Sequence, residues 1–241
     1  MRWDVAFRPA DPLPEAPVAL VVDVLRATTS MVTMLANGAR AVAIERSPER
    51  ALEYGRRRGF LVAGEQGGLP PAGFDFGNSP SAFTADAVAG RSLVLSTTNG
   101  TLAIRAAARR KRVIIGALAN LTAAASAALA LREDVVVVCA GHRGGRFVGL
   151  DDVYVAGRLA LLAEEGGARL LDGARIAAAC ARAYPTPLAA FLASEHGRHL
   201  VTLGLAADLD WCAQTDWTPI VPVAVGRRPP LLVTQRDSRL P

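Results

Sequence analysis

What most constrains this chain is a recurring alternation of short Val-, Leu- and Ile-rich runs with Ala-rich stretches of helical length. Val18–Val22, Ala41–Ile44, Phe60–Ala63, Ser92–Leu95, Arg112–Ile115, Val135–Cys139 and Ile220–Val225 are predicted strands. They lack the period-two pattern of a half-solvated strand, which suits strands covered on both faces. Thr28–Asn37, Pro48–Arg58, Asn99–Arg109, Leu121–Leu131, Asp151–Glu164, Gly173–Ala183, Thr186–Ala193 and Glu195–Leu203 are predicted helices. Ser47 before Pro48 is a helix start, and Gly38 and Gly59 are helix stops. This alternation predicts a layered helix–sheet–helix α/β domain with a largely parallel or mixed sheet. Residues 166–209 show no clear strand, so a helix-rich C-terminal segment should cover one side. Without an internal repeat or a Ser/Gly linker, one domain over residues 1–241 is expected.

Composition removes several classes. With 51% hydrophobic and 20% charged residues over 241 positions, the chain is neither disordered nor of low complexity. The net charge of +5 comes almost wholly from Arg, Lys111 being the only lysine. Its basic runs, Arg56-Arg57-Arg58 and Arg109-Arg110-Lys111-Arg112, carry no interleaved aromatics for base stacking. They fit solvated helix ends ahead of strands, and no nucleic-acid partner is expected. No membrane partner is expected either. The most apolar stretch, Leu118–Leu131, is short and broken by Asn120, Thr122 and Ser126, and the Met1-Arg2-Trp3-Asp4 start lacks the apolar core of a signal peptide. The cysteines Cys139, Cys180 and Cys212 are odd in number and far apart, which suits a reducing cytoplasm. A homo-oligomer stays open.

In α/β sheets, ligands gather where strands end. The unusual polar residues here follow the predicted strands: Asp23 to Ser30, Gly64 to Gly68 with Gly73 to Pro80, Thr97 to Thr101, and Gly141 to Arg146 with Asp151-Asp152 beyond. Asp23 at the end of an apolar run needs a partner. It either caps the next helix and pairs with Arg26, or ligates a hard cation while Arg26 grips an anionic group. A haloacid-dehalogenase phosphatase would need a second Asp at position 25, where Leu25 stands. Thr97–Thr101 is either an anion-binding helix start or an ordinary N-cap by Thr98 or Asn99.

The Gly141–Arg146 loop suits close backbone approach to phosphate. A cysteine phosphatase based on Cys139 would need Arg six positions on, where Gly145 stands. His142 is either a general acid or a loop residue. His196 and His199, three apart on one helix with no nearby third ligand, make no metal site. Glu65, Asp75, Asp151 and Asp152 offer oxygen ligands suited to Mg²⁺, and either of the last two could simply be an acidic helix start.

Taken in order, Val22-Asp23-Val24-Leu25-Arg26-Ala27-Thr28-Thr29, Gly64-Glu65, Gly73-Phe74-Asp75 with Gly77-Asn78-Ser79-Pro80, Thr97–Thr101, and Cys139-Ala140-Gly141 with Asp152 and Ala156-Gly157 resemble the 2-phosphosulfolactate phosphatase family. The similarity runs from Val18 to Gly157 and more weakly through Gly204–Asp208 and Pro219–Val223. The resemblance implies Mg²⁺-dependent hydrolysis of 2-phospho-3-sulfolactate, a step toward coenzyme M in methanogens, in a family also found in bacteria that do not make coenzyme M. It implies that Asp23, Glu65 and Asp152 hold the metal or position water, and that Arg26 and the Thr97–Thr101 turn, Gly100 included, bind anionic groups. Thr28, Asn78, Ser79 and Gly141 would complete the phosphate contacts. Which carboxylate is the base stays open. Two other readings stand beside this one: a phosphatase acting on another small phospho-acid, and a non-catalytic sugar- or nucleotide-binding module, which would not need clustered carboxylates.

Overall fold

The computed structural model describes residues 1–226 and 229–235. Its strands are β1 (Arg2–Ala6), β2 (Val18–Val22), β3 (Ala41–Ile44), β4 (Leu61–Gly64), β5 (Ser92–Ser96), β6 (Arg112–Gly116), β7 (Val135–Cys139), β8 (Arg169–Leu170), β9 (Pro222–Val225) and β10 (Leu231–Thr234). Its helices are α1 (Ala27–Ala36), α2 (Pro48–Arg58), α3 (Ala85–Val88), α4 (Gly100–Ala107), α5 (Leu121–Ala130), α6 (Leu150–Glu165), α7 (Asp172–Ala183), α8 (Pro187–Ala193), α9 (Glu195–Thr202) and α10 (Ala206–Cys212).

The strands form one sheet in the order β4-β5-β3-β10-β9-β6-β2-β7-β1-β8. Two parallel blocks, β4-β5-β3 and β6-β2-β7-β1-β8, are joined through the antiparallel β9–β10 hairpin. The seam between β9 and β6 is the single pair Ile114 and Val223. β2 is hydrogen-bonded along its full length to β6 and β7 and is wholly buried, as its unbroken Val-Ala-Leu-Val-Val run requires.

The two blocks share an interior. Val21 and Val138 from one block and Ile44 and Leu95 from the other pack with Met31 and Met34 of α1 and Ile104 of α4 in a common core. The opposite face of β2 and β7 (Leu20, Val22, Val137, Cys139) packs against α5, α6 and α7. On the far side, Ala51 of α2 packs on Val62 and Val94. Folding the blocks around α1 and α4 brings the C-terminal ends of β2, β4, β5 and β7 to one place.

The predicted strands and helices are all present, with ends shifted by a residue or two. Five elements were not anticipated, one of them the four-residue α3. β1 carries Arg2 and Asp4 in an apolar run, and β10 lies beyond the predicted strands. The two-residue β8 corrects the expectation of no strand within 166–209, and α10 closes that segment. Arg56-Arg57-Arg58 ends α2 ahead of β4, as expected, whereas Arg109-Arg110-Lys111 follow the end of α4 and Arg112 is the first residue of β6. Among the described residues no single helix is long and apolar enough to cross a membrane.

Candidate active site

The turn after β2 is fixed by Thr28: its hydroxyl accepts from the Asp23 N–H at 3.1 Å, and its own N–H donates to the Asp23 carbonyl at 2.8 Å. This leaves the Asp23 side chain, 4% exposed, aimed at the first turn of α4. A Cβ on Gly100 would fall 2.8 Å from Asp23 Oδ2 and 2.7 Å from the Ala27 methyl, so only glycine lets α4 approach this carboxylate so closely.

Asp23, Leu25, Arg26, Glu65, Gly68, Asn78, Asn99 and His196 enclose a chamber of about 20 Å³, room for a water or a small cation. Asn78 Oδ1 is buried and without a hydrogen-bond partner, an acceptor left open beside that chamber. Through Glu65, Gly68, Asn99 and His196 the chamber adjoins an outer basin of about 510 Å³, which is also lined by Thr98, His142, Arg143, Arg198 and His199.

The Thr97–Thr101 turn binds an anion, and that anion is internal. Glu65 Oε1 accepts from the Thr98 N–H at 2.6 Å, and Oε2 accepts from the Thr98 hydroxyl at 3.1 Å and the Gly68 N–H at 2.9 Å. Thr97 and Thr101 exchange backbone-to-hydroxyl bonds at 3.1 and 3.2 Å. Asn99, in the N-cap position, does not cap the helix with its side chain. Its Oδ1 accepts from the Gly144 N–H at 2.7 Å and ties the β7–α6 loop to α4.

Arg26 does not pair with Asp23, correcting one of the two expectations for it. Its guanidinium meets Asp208 of α10 at 2.6 Å, the Ser79 hydroxyl at 3.1 Å and the Gly68 carbonyl at 2.6 Å. Ser79 also donates to Asp208 at 2.8 Å. Both ionic side chains are nearly sealed, 3% and 6% exposed. Arg26 is thus a brace as well as a chamber wall, and Ser79 belongs to the brace.

Asp152 and Gly141, assigned by resemblance to the metal and the phosphate, turn instead toward each other. Asp152 Oδ2 accepts from the Gly141 N–H and Oδ1 from the Val24 N–H, both at 2.9 Å, joining the ends of β7 and β2. Burial, with Asp151 and Asp23 close by, pushes the Asp152 carboxyl well up against the pull of those two amides. Among the described residues no group of three or more His, Cys, Asp or Glu has metal-holding geometry, so Asp23, Glu65 and Asp152 are not one preassembled cage. Asp75 is spent on the Val62 N–H at 2.7 Å, away from the chamber. Asp151 and Asp152 do form an acidic first turn of α6, although neither is its N-cap, which is Gly149. Cys139 is sealed in β7, and burial pushes its thiol well up, which makes it a poor nucleophile.

Two site residues, His196 and Asp208, went unassigned from sequence, and Asp151 takes a partner that its reading as a metal ligand did not foresee. His196 Nδ1 lies 3.3 Å from Asp151 Oδ2, with the side chains 14% and 1% exposed. Burial depresses the imidazole pKa, but the Asp151 bond and charge, with Asp23 and Glu65, outweigh it and leave it raised. His196 also stacks near His142, with ring centroids 5.2 Å apart, whose own pKa is lowered chiefly by burial. Asp23 is pushed up to about 7: burial raises it, His196 opposes, and Glu65 and Asp151 add to the rise. Asp208 is the second, and only its place in the weakly similar Gly204–Asp208 stretch signalled it. His196 and Asp151 sit on different helices, so no local spacing could pair them.

A family model described as 2-phosphosulpholactate phosphatase matches residues 7–227. A protein of Thermus thermophilus named probable 2-phosphosulfolactate phosphatase is 45% identical over 239 residues, covering 98% of this chain and all of that protein. Proteins with the same name from Deinococcus radiodurans and Thermotoga maritima are 45% and 35% identical over 229 and 223 residues, covering 93% and 92% of this chain and 94% and 95% of theirs.

Proposed function

Since the chain belongs to the 2-phosphosulpholactate phosphatase family, we propose that its two-tier cleft hydrolyses the phosphate ester of 2-phospho-3-sulfolactate, releasing 3-sulfolactate and phosphate. One observation carries the chemistry. A water-sized chamber walled by Asp23, Glu65, Arg26 and the unpartnered Asn78 Oδ1 opens into a basin large enough for a small acid. A binding module would gain nothing from holding Asp23 buried beside Glu65, since such a carboxylate opposes an incoming phosphate unless a cation or proton offsets it.

Asp23, Glu65 and Asn78 Oδ1 are hard oxygen donors of the kind Mg²⁺ takes, and two carboxylates are enough because this ion keeps waters and binds substrate phosphate. When bound it would supply positive charge to the phosphoryl oxygens. Arg26 adds fixed positive charge to the same wall. Glu65, locked by Thr98 and Gly68, is held to orient a water at the chamber mouth. Asp151 fixes Nδ1 of His196, leaving Nε2 as the proton-carrying atom for the departing alkoxide. The partner is a small phosphorylated anion, and the unpaired thiols of Cys139, Cys180 and Cys212 suit a reducing cytoplasm.

The test is phosphate release from 2-phospho-3-sulfolactate and a panel of small phospho-acids, with Mg²⁺ and with chelator. Turnover of the sulfolactate ester above the others, lost in chelator and restored by Mg²⁺, is expected. Preference for a different phospho-acid would replace the substrate, full activity in chelator would remove the metal, and binding without turnover would leave only the module.

A further inference from the structure

The outer basin has two basic walls, from which the phosphoryl chemistry draws only His196. One wall is α9. Its Glu195, Arg198, His199 and Thr202 recur at the i, i+3, i+4, i+7 spacing of one helix face, and all four line the basin. The helix is set firmly: Ser194 Oγ accepts from the Gly197 N–H at 2.8 Å, and Arg198 donates to the Ala193 carbonyl at 2.6 Å.

The other wall is the β7–α6 loop. His142 and Phe147 exchange backbone bonds at 2.8 and 3.2 Å, and Asn99 holds Gly144. Arg143 takes a left-handed φ of 50° between them, its guanidinium 6.0 Å from the centre of the Phe147 ring. Glu65 and Glu195 are the acids in this lining, and Glu65 is already engaged by Thr98 and Gly68. Among the described residues, neither Arg143 nor Arg198 has a carboxylate within ion-pair distance. Two guanidiniums without carboxylate partners, on two firmly held walls of one basin, fit a ligand with an anionic end remote from its phosphate. Guanidinium matches a planar or tetrahedral oxyanion and keeps its charge at any working pH.

We propose that Arg143 and Arg198 form a second anion subsite that holds the sulfonate of the substrate while its phosphoryl group occupies the chamber mouth. The assignment rests on the phosphatase reading and deepens it, since it makes the basin the part that selects a sulfonated acid over an unsulfonated one.

The test compares three esters: 2-phospho-3-sulfolactate, 2-phospholactate, which keeps the carboxylate but lacks the sulfonate, and 2-sulfoethyl phosphate, which keeps the sulfonate but lacks the carboxylate. Arg198→Gln and Arg143→Asn are compared with wild type, Asn being chosen because it tolerates a left-handed backbone. Each variant should lower kcat/KM by about 10- to 100-fold for the two sulfonates, mostly through KM, the scale of one lost hydrogen bond to a charged group. For 2-phospholactate the change should stay within about threefold.

Equal loss on all three esters would overturn the subsite, as would loss confined to 2-phospholactate, which would make it a carboxylate site. If wild type releases phosphate from none of them, the phosphatase reading has failed, and calorimetric titration with 3-sulfolactate decides the subsite alone. Binding that weakens in both variants keeps it, and absence of binding to wild type, or equal binding to all three proteins, removes it. Melting curves confirm that each variant is folded.

Discussion

At the scale of single residues, Arg26 has two roles that one substitution cannot separate. Its guanidinium ties the β2 turn to Asp208, Ser79 and Gly68, and it also walls the chamber. Removing one member of a sealed ion pair strands the other charge, so Asp208→Ala should cost about 3–5 kcal/mol in stability. Arg26→Lys should fail nearly as badly, because an ammonium cannot span three acceptors set around a planar fork. The informative variant is the double replacement Arg26→Met with Asp208→Leu. Burying two apolar side chains in place of the pair should recover most of the melting temperature, since isosteric apolar replacement of buried pairs is often neutral or better. Turnover should not return, because the chamber has lost its fixed positive charge. If both return, Arg26 is a brace and nothing more. Measuring melts and phosphate release on the same four proteins separates the outcomes.

At the scale of elements, what was legible followed local period and what was missed depended on docking. β2 and β7 are uninterrupted Val-rich runs and could be read to the residue, as could α2 with its Ser47 cap and Gly59 stop. β8, two residues at the sheet edge, has no distinctive local pattern, and β10 is a short Leu-Leu-Val-Thr run whose place between β3 and β9 is set by docking. The site divides the same way. Asp23, Glu65, Asn78 and Asn99 lie on strand-end loops where the α/β rule looks, and they do meet. His196 arrives on α9, a helix that from sequence alone served only as cover, and Asp208 on α10, a helix that was not anticipated.

That delivery makes the α8–α9 corner sensitive. A Cβ on Gly197 would sit 2.0 Å from the Phe191 carbonyl and 3.0 Å from Ser194 Oγ, so α9 must shift to accept it. Gly197→Ala should therefore destabilise the fold by about 1–3 kcal/mol, the usual cost of overpacking. It should also lower turnover below what the melting loss explains, because His196 and Arg198 flank the site of strain. Full activity per folded molecule, by kinetics well below the melting point, would show that α9 tolerates displacement.

At the scale of the whole molecule, the site is a point of stored electrostatic cost, and that cost has a sign. Asp23 is pushed to about 7 from the ordinary 3.8, Asp152 is raised by burial, and His196 is raised by its acidic neighbours. All three favour the protonated form in the folded state. Each adds stability that is complete below its unfolded pKa and lost as pH rises through its folded one. For Asp23 the loss falls between about pH 4 and 7, where the unfolded carboxyl is ionised and the folded one is still protonated. Asp23→Asn removes this contribution while keeping the shape. In chelator, the melting temperature of wild type should thus fall relative to Asp23→Asn as pH rises from 4.5 to 8, ending below it. A divalent cation between Asp23 and Glu65 would reverse the cost by favouring the ionised carboxylate. Mg²⁺ at pH 8 should then raise the wild-type melt, by about 2.7 kcal/mol at a hundredfold excess over Kd, and leave Asp23→Asn almost unmoved. The same substitution should remove most of kcat in a protein that is as stable as wild type or more so. Near-normal turnover in folded Asp23→Asn, or an equal Mg²⁺ shift in both proteins, would place the cation elsewhere. Parallel pH profiles would mean that Asp23 ionises as freely in the fold as in water.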